Sequence, residues 1–232
     1  MMSIESNIAS IRDRMGLACE RSGRELSEVR LMAVSKFHPW QAVQEAAEAG
    51  VELFGENRVQ EAKLKIPQCP SGLHWHLIGH LQSNKCRDAV HYFEMIQSVD
   101  SLSLAEEINT TAKKHSRMMP ILLEVNIAGE RTKFGYTPET VLADLEKLNA
   151  LSSLEIHGLM AIPPWTPDPE KVRPLFRKLA DLKKRCEELL KAPLPVLSMG
   201  MSGDFEVAIE EGATLIRIGT AIFGERSKFN KA

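Results

Sequence analysis

A lysine, Lys36, follows a short apolar run at residues 31–34, with Ser35 between them. If that run is a strand, side chains alternate between its two faces, so Lys36 shares a face with Met32 and Val34. A lysine amine in a partly apolar site with cationic neighbours loses its proton more readily and becomes a nucleophile that forms Schiff bases with aldehydes. The simpler alternative is a solvated charge just beyond the end of a strand.

Two loops near the C-terminus are rich in glycine, serine and threonine. One is SMGMSGD at residues 198–204 and the other contains Gly219 and Thr220. Small residues let backbone N–H groups approach an anion, and the helix that follows adds a partial positive charge at its N-terminus. Ser202 and Thr220 could add hydroxyl donors, so these loops predict a phosphate site.

An arginine, Arg217, lies inside the apolar run LIRIG. By alternation its side chain faces away from its isoleucine neighbours. We expect it to face the interior that the strands enclose, where a buried guanidinium needs a hydrogen-bonding or charged partner. The alternative is an outward arginine whose stem lies between helices.

A nucleophilic lysine, a phosphate cradle and an interior arginine together predict a phosphorylated aldehyde as ligand. Pyridoxal phosphate (PLP) has that chemistry. A class I aldolase, which forms the Schiff base with its substrate and binds phosphate in similar loops, fits the same residues.

Eight strand-like apolar runs alternate with helical patterns along the chain. The runs lie at 31–36, 52–57, 74–79, 95–100, 121–126, 156–162, 196–200 and 215–219. The predicted helices lie at 3–22, 41–50, 101–115, 137–151, 169–190 and 204–212. Alternation of this kind predicts parallel strands joined by crossovers.

Eight such units are what a (β/α)₈ barrel, the TIM barrel, requires, so we predict one α/β barrel with an extra N-terminal helix. A doubly wound open sheet is the alternative. Barrels place reactive groups at the carboxyl ends of their strands and often a phosphate after strands seven and eight. Lys36 and the two glycine-containing loops occupy those positions.

Composition excludes several classes of protein. The chain has 232 residues, a net charge of −2 and 26% charged residues, so we expect neither nucleic acid nor a membrane as partner. Its N-terminus resembles an amphipathic helix rather than a signal peptide, and its four cysteines form no C-x-x-C pair. We expect a cytoplasmic protein.

Three histidines, His74, His76 and His80, suggest a metal site at first sight. Alternation puts His74 and His76 on one face of a strand. The sequence offers neither a third ligand at a spacing typical of zinc sites nor an acidic cluster. We therefore expect no metal.

Five segments together resemble the pyridoxal phosphate homeostasis proteins (the YggS/PROSC family). They are AVSKFHP, FGENRVQEAKLK, HWHLIGHLQSNK, IHGLMAIPP and LSMGMSGDFEVAIEEGATLIRIGTAIFGER. The similarity extends from the first strand to the C-terminus. It implies a single PLP-binding (β/α)₈ barrel domain over residues 1–232, like the N-terminal domain of bacterial alanine racemase.

The resemblance also implies roles for individual residues. Lys36 would bind PLP as an internal aldimine, a Schiff base, and Arg217 would approach the pyridine nitrogen. Asn57 would lie near the ring, His80 would line the pocket, and Lys133 could be a secondary amine for PLP. The phosphate ligands carried over are Ser198, Gly200, Met201, Ser202, Gly219 and Thr220.

The residues favour a carrier over an enzyme. An arginine at the pyridine nitrogen stays protonated and keeps that nitrogen unprotonated, which weakens PLP as an electron sink. The related racemases take a second base, a tyrosine, from a further domain, whereas this chain has only Tyr92 and Tyr136. We expect a monomeric protein that serves PLP (vitamin B6) homeostasis and delivers PLP, with PLP-dependent apo-enzymes as possible recipients and no catalytic residue. The alternative is a weak PLP-dependent amino acid racemase.

Overall fold

Eight parallel strands close into a barrel in the computed structural model, which describes residues 3–130 and 132–224. Each strand pairs with the next one along the chain, and the eighth pairs with the first. The strands are β1 Arg30–Val34, β2 Leu53–Glu56, β3 His74–Leu77, β4 Met95–Val99, β5 Met119–Glu124, β6 Leu154–Met160, β7 Val196–Ser198 and β8 Leu215–Ile218. The predicted barrel is confirmed.

The helices lie outside the strands and connect them. They are α1 Ile4–Ser22, α2 Trp40–Glu48, α3 Val59–Lys65, α4 Cys86–Tyr92, α5 Leu102–Lys114, α6 Pro138–Asn149, α7 Arg173–Leu190, α8 Phe205–Glu210 and α9 Thr220–Phe223. Short 3₁₀ turns lie at Leu26–Glu28, Ile66–Gln68, Ser83–Lys85 and Pro169–Val172. The sequence predicts a helix at Tyr92, which α4 confirms, but the sequence analysis missed α3 and α9, because helices this short present too few periodic apolar positions.

Most strands are shorter than the apolar runs that predicted them. The first run reaches Lys36 but β1 ends at Val34, and the seventh reaches Gly200 but β7 ends at Ser198. The sixth strand begins at Leu154, two residues before its run. Lys36 and Gly200 therefore lie just beyond their strands, whereas Ser198 is the last residue of β7.

Alternating side chains divide the apolar residues between two layers. One face of the strands packs against the helices and forms the main core. The other face fills the barrel with two small clusters, whose buried members are Met32, Val34, Leu53, Ile78, Leu215 and Met95, Leu122, Met160. The interior is thus packed, and polar groups enter it at defined positions.

The N-terminal helix α1 is capped at both ends. The Ser3 hydroxyl accepts from the Ser6 N–H, and Gly23 closes the helix with a φ of 66°. Its apolar face, with Ile8, Ile11 and Met15, is buried in the main core. None of the helices in the described ranges is long and apolar enough to cross a membrane.

Candidate functional site

Lys36 lies in a tight turn at the carboxyl end of β1. The Ser35 carbonyl accepts from the His38 N–H at 3.0 Å, so residues 35–38 form a β-turn with Lys36 and Phe37 at its centre. Phe37 has a φ of 66°, a left-handed conformation that glycine adopts more readily. The Lys36 side chain is half-buried.

Asn57 and His80 follow β2 and β3 at the same end of the barrel. The two strand exits come very close, since a Cβ added to Gly79 would lie 2.3 Å from the Asn57 carbonyl oxygen. His80 is exposed, with its Nδ1 2.9 Å from Asp100 Oδ2. Its ring stacks on the Phe134 ring at a centroid distance of 3.7 Å.

The loop after β5 reaches across to neighbouring strand exits. Phe134 contacts His80, and Lys133 Nζ lies 2.6 Å from Glu130 Oε1 and 3.4 Å from the Ile162 carbonyl oxygen. The Asn126 side chain holds the base of the loop by donating to the Glu130 carbonyl and accepting from the Glu130 N–H. The predicted loop lysine thus lies at the barrel mouth, engaged with a carboxylate.

The two glycine-containing loops lie side by side, joined by a hydrogen bond from the Ala221 N–H to Ser202 Oγ. Gly200 has a φ of 94°, and a Cβ there would lie 2.7 Å from Ala208 Cβ, so the first loop requires glycine at this position. The Met201 N–H donates to Asp204 Oδ1 at 2.6 Å, which orients the turn into α8.

Four backbone N–H groups of these loops, at Ser202, Gly203, Gly219 and Thr220, donate to no residue in the described ranges. Gly219 and Thr220 precede and begin α9, where N–H groups point outward from the helix start. Unpartnered N–H groups on two joined loops fit an anion such as a phosphate.

Arg217 faces the barrel interior, as alternation predicts, and is 3% exposed. Its Nη1 donates to Ser198 Oγ at 2.7 Å and its Nη2 to the Ala161 carbonyl at 2.8 Å. Both acceptors lie at the carboxyl ends of neighbouring strands. Burial lowers the pKa of Arg217 to about 10, with Asp204 and Glu124 opposing the shift, so the guanidinium remains a cation at neutral pH.

The Arg217 bond to Ser198 continues into a buried series that we call the interior chain: Arg217, Ser198, Gln97 and His76. Ser198 Oγ donates to Gln97 Oε1 at 2.7 Å, and Gln97 Nε2 lies 2.9 Å from His76 Nδ1. Burial lowers the pKa of His76 to about 3, so its ring is neutral and Nδ1 accepts from the Gln97 amide. Every bond then runs in one direction, away from the arginine.

Ser198 differs from the other predicted phosphate ligands because it belongs to the interior chain. Ser198 is fully buried and its hydroxyl is engaged with Gln97 and Arg217, whereas Met201, Ser202, Gly219 and Thr220 belong to the joined loops. The sequence analysis missed Gln97 and considered His76 only as a metal ligand. Alternation along β3 and β4 is the signal that could have placed both inside the barrel.

Two further carboxylates missed from the sequence lie near Arg217. Burial and the Asp100 charge raise the pKa of Glu124 to about 7, and Arg217 opposes that rise. Burial also raises the pKa of Asp204, against its bond from the Met201 N–H. No cluster of three or more metal-ligating side chains occurs within residues 3–130 and 132–224.

Barrel and site together define a class of protein. The family model "Alanine racemase, N-terminal domain" matches residues 3–227. An alanine racemase of Clostridium difficile 630 has the same fold, with a TM-score of 0.75 at 14% identity; the match covers 96% of this chain and 56% of that one.

Relatives with higher sequence identity show to which family within this class the chain belongs. A pyridoxal phosphate homeostasis protein of Aquifex aeolicus is 42% identical, over 97% of this chain and 99% of the relative. The Escherichia coli K12 protein of that name is 40% identical over the whole of both chains. PipY of Synechococcus elongatus, solved with PLP bound, has a TM-score of 0.83 at 39% identity, over 96% of this chain and all of that one. The chain belongs to the pyridoxal phosphate homeostasis protein family, as predicted.

Proposed function

We propose that this chain binds PLP on Lys36 as a Schiff base and serves to store and deliver it. The observation that carries the proposal is the meeting of two elements at one end of the barrel: the Lys36 turn and the joined loops, with four N–H groups that donate to none of the described residues. The structure of PipY of Synechococcus elongatus with PLP bound, at 39% identity, supports it. PLP is the cofactor that the family implies.

Each part of the ligand has residues that fit it. The Lys36 amine adds to the aldehyde carbon, a C=N bond replaces the C=O bond, and water leaves. The loop N–H groups and the Ser202 region hold the phosphate, and Arg217 donates to the ring nitrogen. The proposed binding residues are Lys36, Asn57, His80, Gly200, Met201, Ser202, Arg217, Gly219 and Thr220, and Ser198 contributes through its hydrogen bond from Arg217.

The charge at the ring favours storage over turnover. When bound, PLP supplies an electrophilic aldehyde carbon and an electron-withdrawing ring. Arg217 remains cationic at neutral pH and gives no proton to the ring nitrogen. Its hydrogen bonds to Ser198 and to the Ala161 carbonyl hold the guanidinium in that role.

The tyrosines offer no second base of the racemase kind in the described ranges. Burial raises the pKa of Tyr136, so its hydroxyl stays protonated at neutral pH. Tyr92 lies at the end of α4. The 42% identity to the pyridoxal phosphate homeostasis protein of Aquifex aeolicus also supports the homeostasis role. We propose a monomer of the cytoplasm with PLP-dependent apo-enzymes as recipients.

An experiment that measures absorption and turnover tests both the Schiff base on Lys36 and the proposed carrier role. The PLP-loaded protein should have a visible Schiff-base band that borohydride removes, and Lys36→Ala should lack it. With L-alanine, formation of D-alanine should not exceed that of free PLP. Turnover well above free PLP that disappears in Lys36→Ala would establish the weak racemase instead of the carrier.

A further inference from the structure

A buried polar cluster on the helix-facing side of the strands contacts the turn that carries Lys36. We call it the Lys65 cluster; its members are Ser35, Glu56, Glu61 and Lys65. Lys65 Nζ lies 2.6 Å from Glu56 Oε1 and 2.9 Å from Glu61 Oε1. The Lys65 side chain is 7% exposed and that of Glu56 is fully buried.

The cluster binds the backbone on both sides of Lys36. Lys65 Nζ donates to the Ser35 carbonyl at 2.8 Å, and the Phe37 N–H donates to Glu61 Oε1 at 2.6 Å. The Ser35 hydroxyl donates to Glu56 Oε1 at 2.7 Å. The residues before and after Lys36 are thus fixed by charged partners. Hydrogen bonds to charged groups are stronger than those between neutral groups.

The turn needs such support. Phe37 occupies the third position of the β-turn with a φ of 66°, where a β-carbon is unfavourable and glycine is preferred. A non-glycine residue persists there only when its surroundings determine its conformation. The bond from the Phe37 N–H to Glu61 acts on that residue directly.

The cluster also accounts for a motif that ligand binding leaves unexplained. Glu56, Glu61 and Lys65 all lie in the segment FGENRVQEAKLK, at the end of β2 and along α3. Their side chains contact the Lys36 turn rather than the joined loops.

We propose that the Lys65 cluster, through Glu61 in particular, positions Lys36 for Schiff-base formation. The inference rests on the proposed function. Attack of an amine on a carbonyl carbon depends on approach distance and angle, and small displacements of the reacting atom are costly. Glu61 acts as a positioning residue, since its contact is with the Phe37 backbone.

The chain offers a closely matched control. Glu187 Oε1 accepts from Lys183 Nζ, four residues earlier, at 2.7 Å, and from the Leu194 N–H at 2.8 Å. Glu61 makes the same two kinds of bond, to a lysine four residues away and to a loop N–H. Glu187 lies on α7 and its loop partner precedes β7, at the opposite end of the barrel from Lys36.

The experiment compares Glu61→Ala, Glu61→Gln and Glu187→Ala with the unaltered chain. The rate of Schiff-base formation is followed by absorption after mixing with PLP and by borohydride trapping. Affinity for pyridoxine 5'-phosphate, which carries the phosphate but no aldehyde, is measured separately. Thermal unfolding gives the stability of each variant.

Glu61→Ala should slow Schiff-base formation about tenfold or more, while its affinity for pyridoxine 5'-phosphate stays within about twofold. Glu61→Gln keeps an acceptor oxygen for the Phe37 N–H and should retain a rate within about threefold of the unaltered chain. Glu187→Ala should leave the rate of Schiff-base formation and the affinity for pyridoxine 5'-phosphate unchanged, even where it lowers the unfolding temperature as much as Glu61→Ala does.

Two results would overturn the inference while leaving the proposed function intact. One is equal rates for Glu61→Ala and Glu187→Ala. The other is a Glu61→Gln rate as slow as that of Glu61→Ala, because charge rather than position would then be the cause. Absence of any Schiff base in the unaltered chain would instead overturn the proposed function, and this inference with it.

Discussion

Two buried polar networks lie on opposite sides of the strands. The interior chain has one charge, Arg217, and its other members are neutral. The Lys65 cluster consists mainly of ions and bonds to backbone atoms. The first network orients a charged side chain, and the second fixes a turn. Breaking each network should therefore have different consequences.

The largest expected effect is on stability, from Lys65→Met. Glu56 is fully buried, and without Lys65 it loses its cation, which should lower the free energy of unfolding by about 3–5 kcal/mol. Burial already raises the pKa of Glu56, so the loss should be greater at pH 8 than at pH 5, where the carboxyl can be protonated. Urea unfolding at both pH values measures this. Equal losses at the two pH values would contradict a buried, unpaired carboxylate.

Gln97→Leu should have a smaller effect on stability and a specific one on Arg217. It removes a neutral link, leaving His76 Nδ1 without a partner and the Ser198 hydroxyl without an acceptor, at a cost of about 1–3 kcal/mol. That cost should vary little with pH, because His76 is neutral throughout the neutral range. The Schiff-base band should shift while the rate of its formation stays near that of the unaltered chain. A slowed rate with an unshifted band would erase the distinction between the two networks.

The smallest effect concerns Glu124, beside the interior chain. Its folded pKa of about 7 exceeds the ordinary 4.5, so the folded protein binds more protons than the unfolded chain between those values. Stability from this group is therefore present at low pH and is lost as pH rises from about 4.5 to 7, by roughly 1–2 kcal/mol for a partly exposed carboxyl. Glu124→Gln should flatten that slope in urea unfolding. An unchanged slope would show that Glu124 titrates normally.

Features that depend on local sequence could be predicted. Alternation placed Arg217 inside the barrel, and strand-exit position brought Lys36 and the glycine-containing loops to one end, because both follow from the period of a strand and the direction of a parallel barrel. The family resemblance added the individual ligand roles, which remain predictions.

Features that depend on cross-barrel partners could not be predicted. Ser198 and Gln97 are 101 residues apart, and nothing in either segment specifies that their side chains meet. Alternation identifies the face of a residue but not its partner on another strand. The same limit hid the contact of Lys65 with Ser35, since these residues meet only once β2 pairs with β1.

The bond from the Ala221 N–H to Ser202 Oγ has a consequence for ligand selection. Because it joins the two loops during folding, a phosphate should meet a receptor whose conformational entropy has already been lost. Such a receptor should hold pyridoxal, pyridoxine and pyridoxamine phosphates with similar affinity. Discrimination among the B6 vitamers would then fall to the adjoining turn after β1, which pairs with β8, because the proposed Schiff base on Lys36 requires an aldehyde.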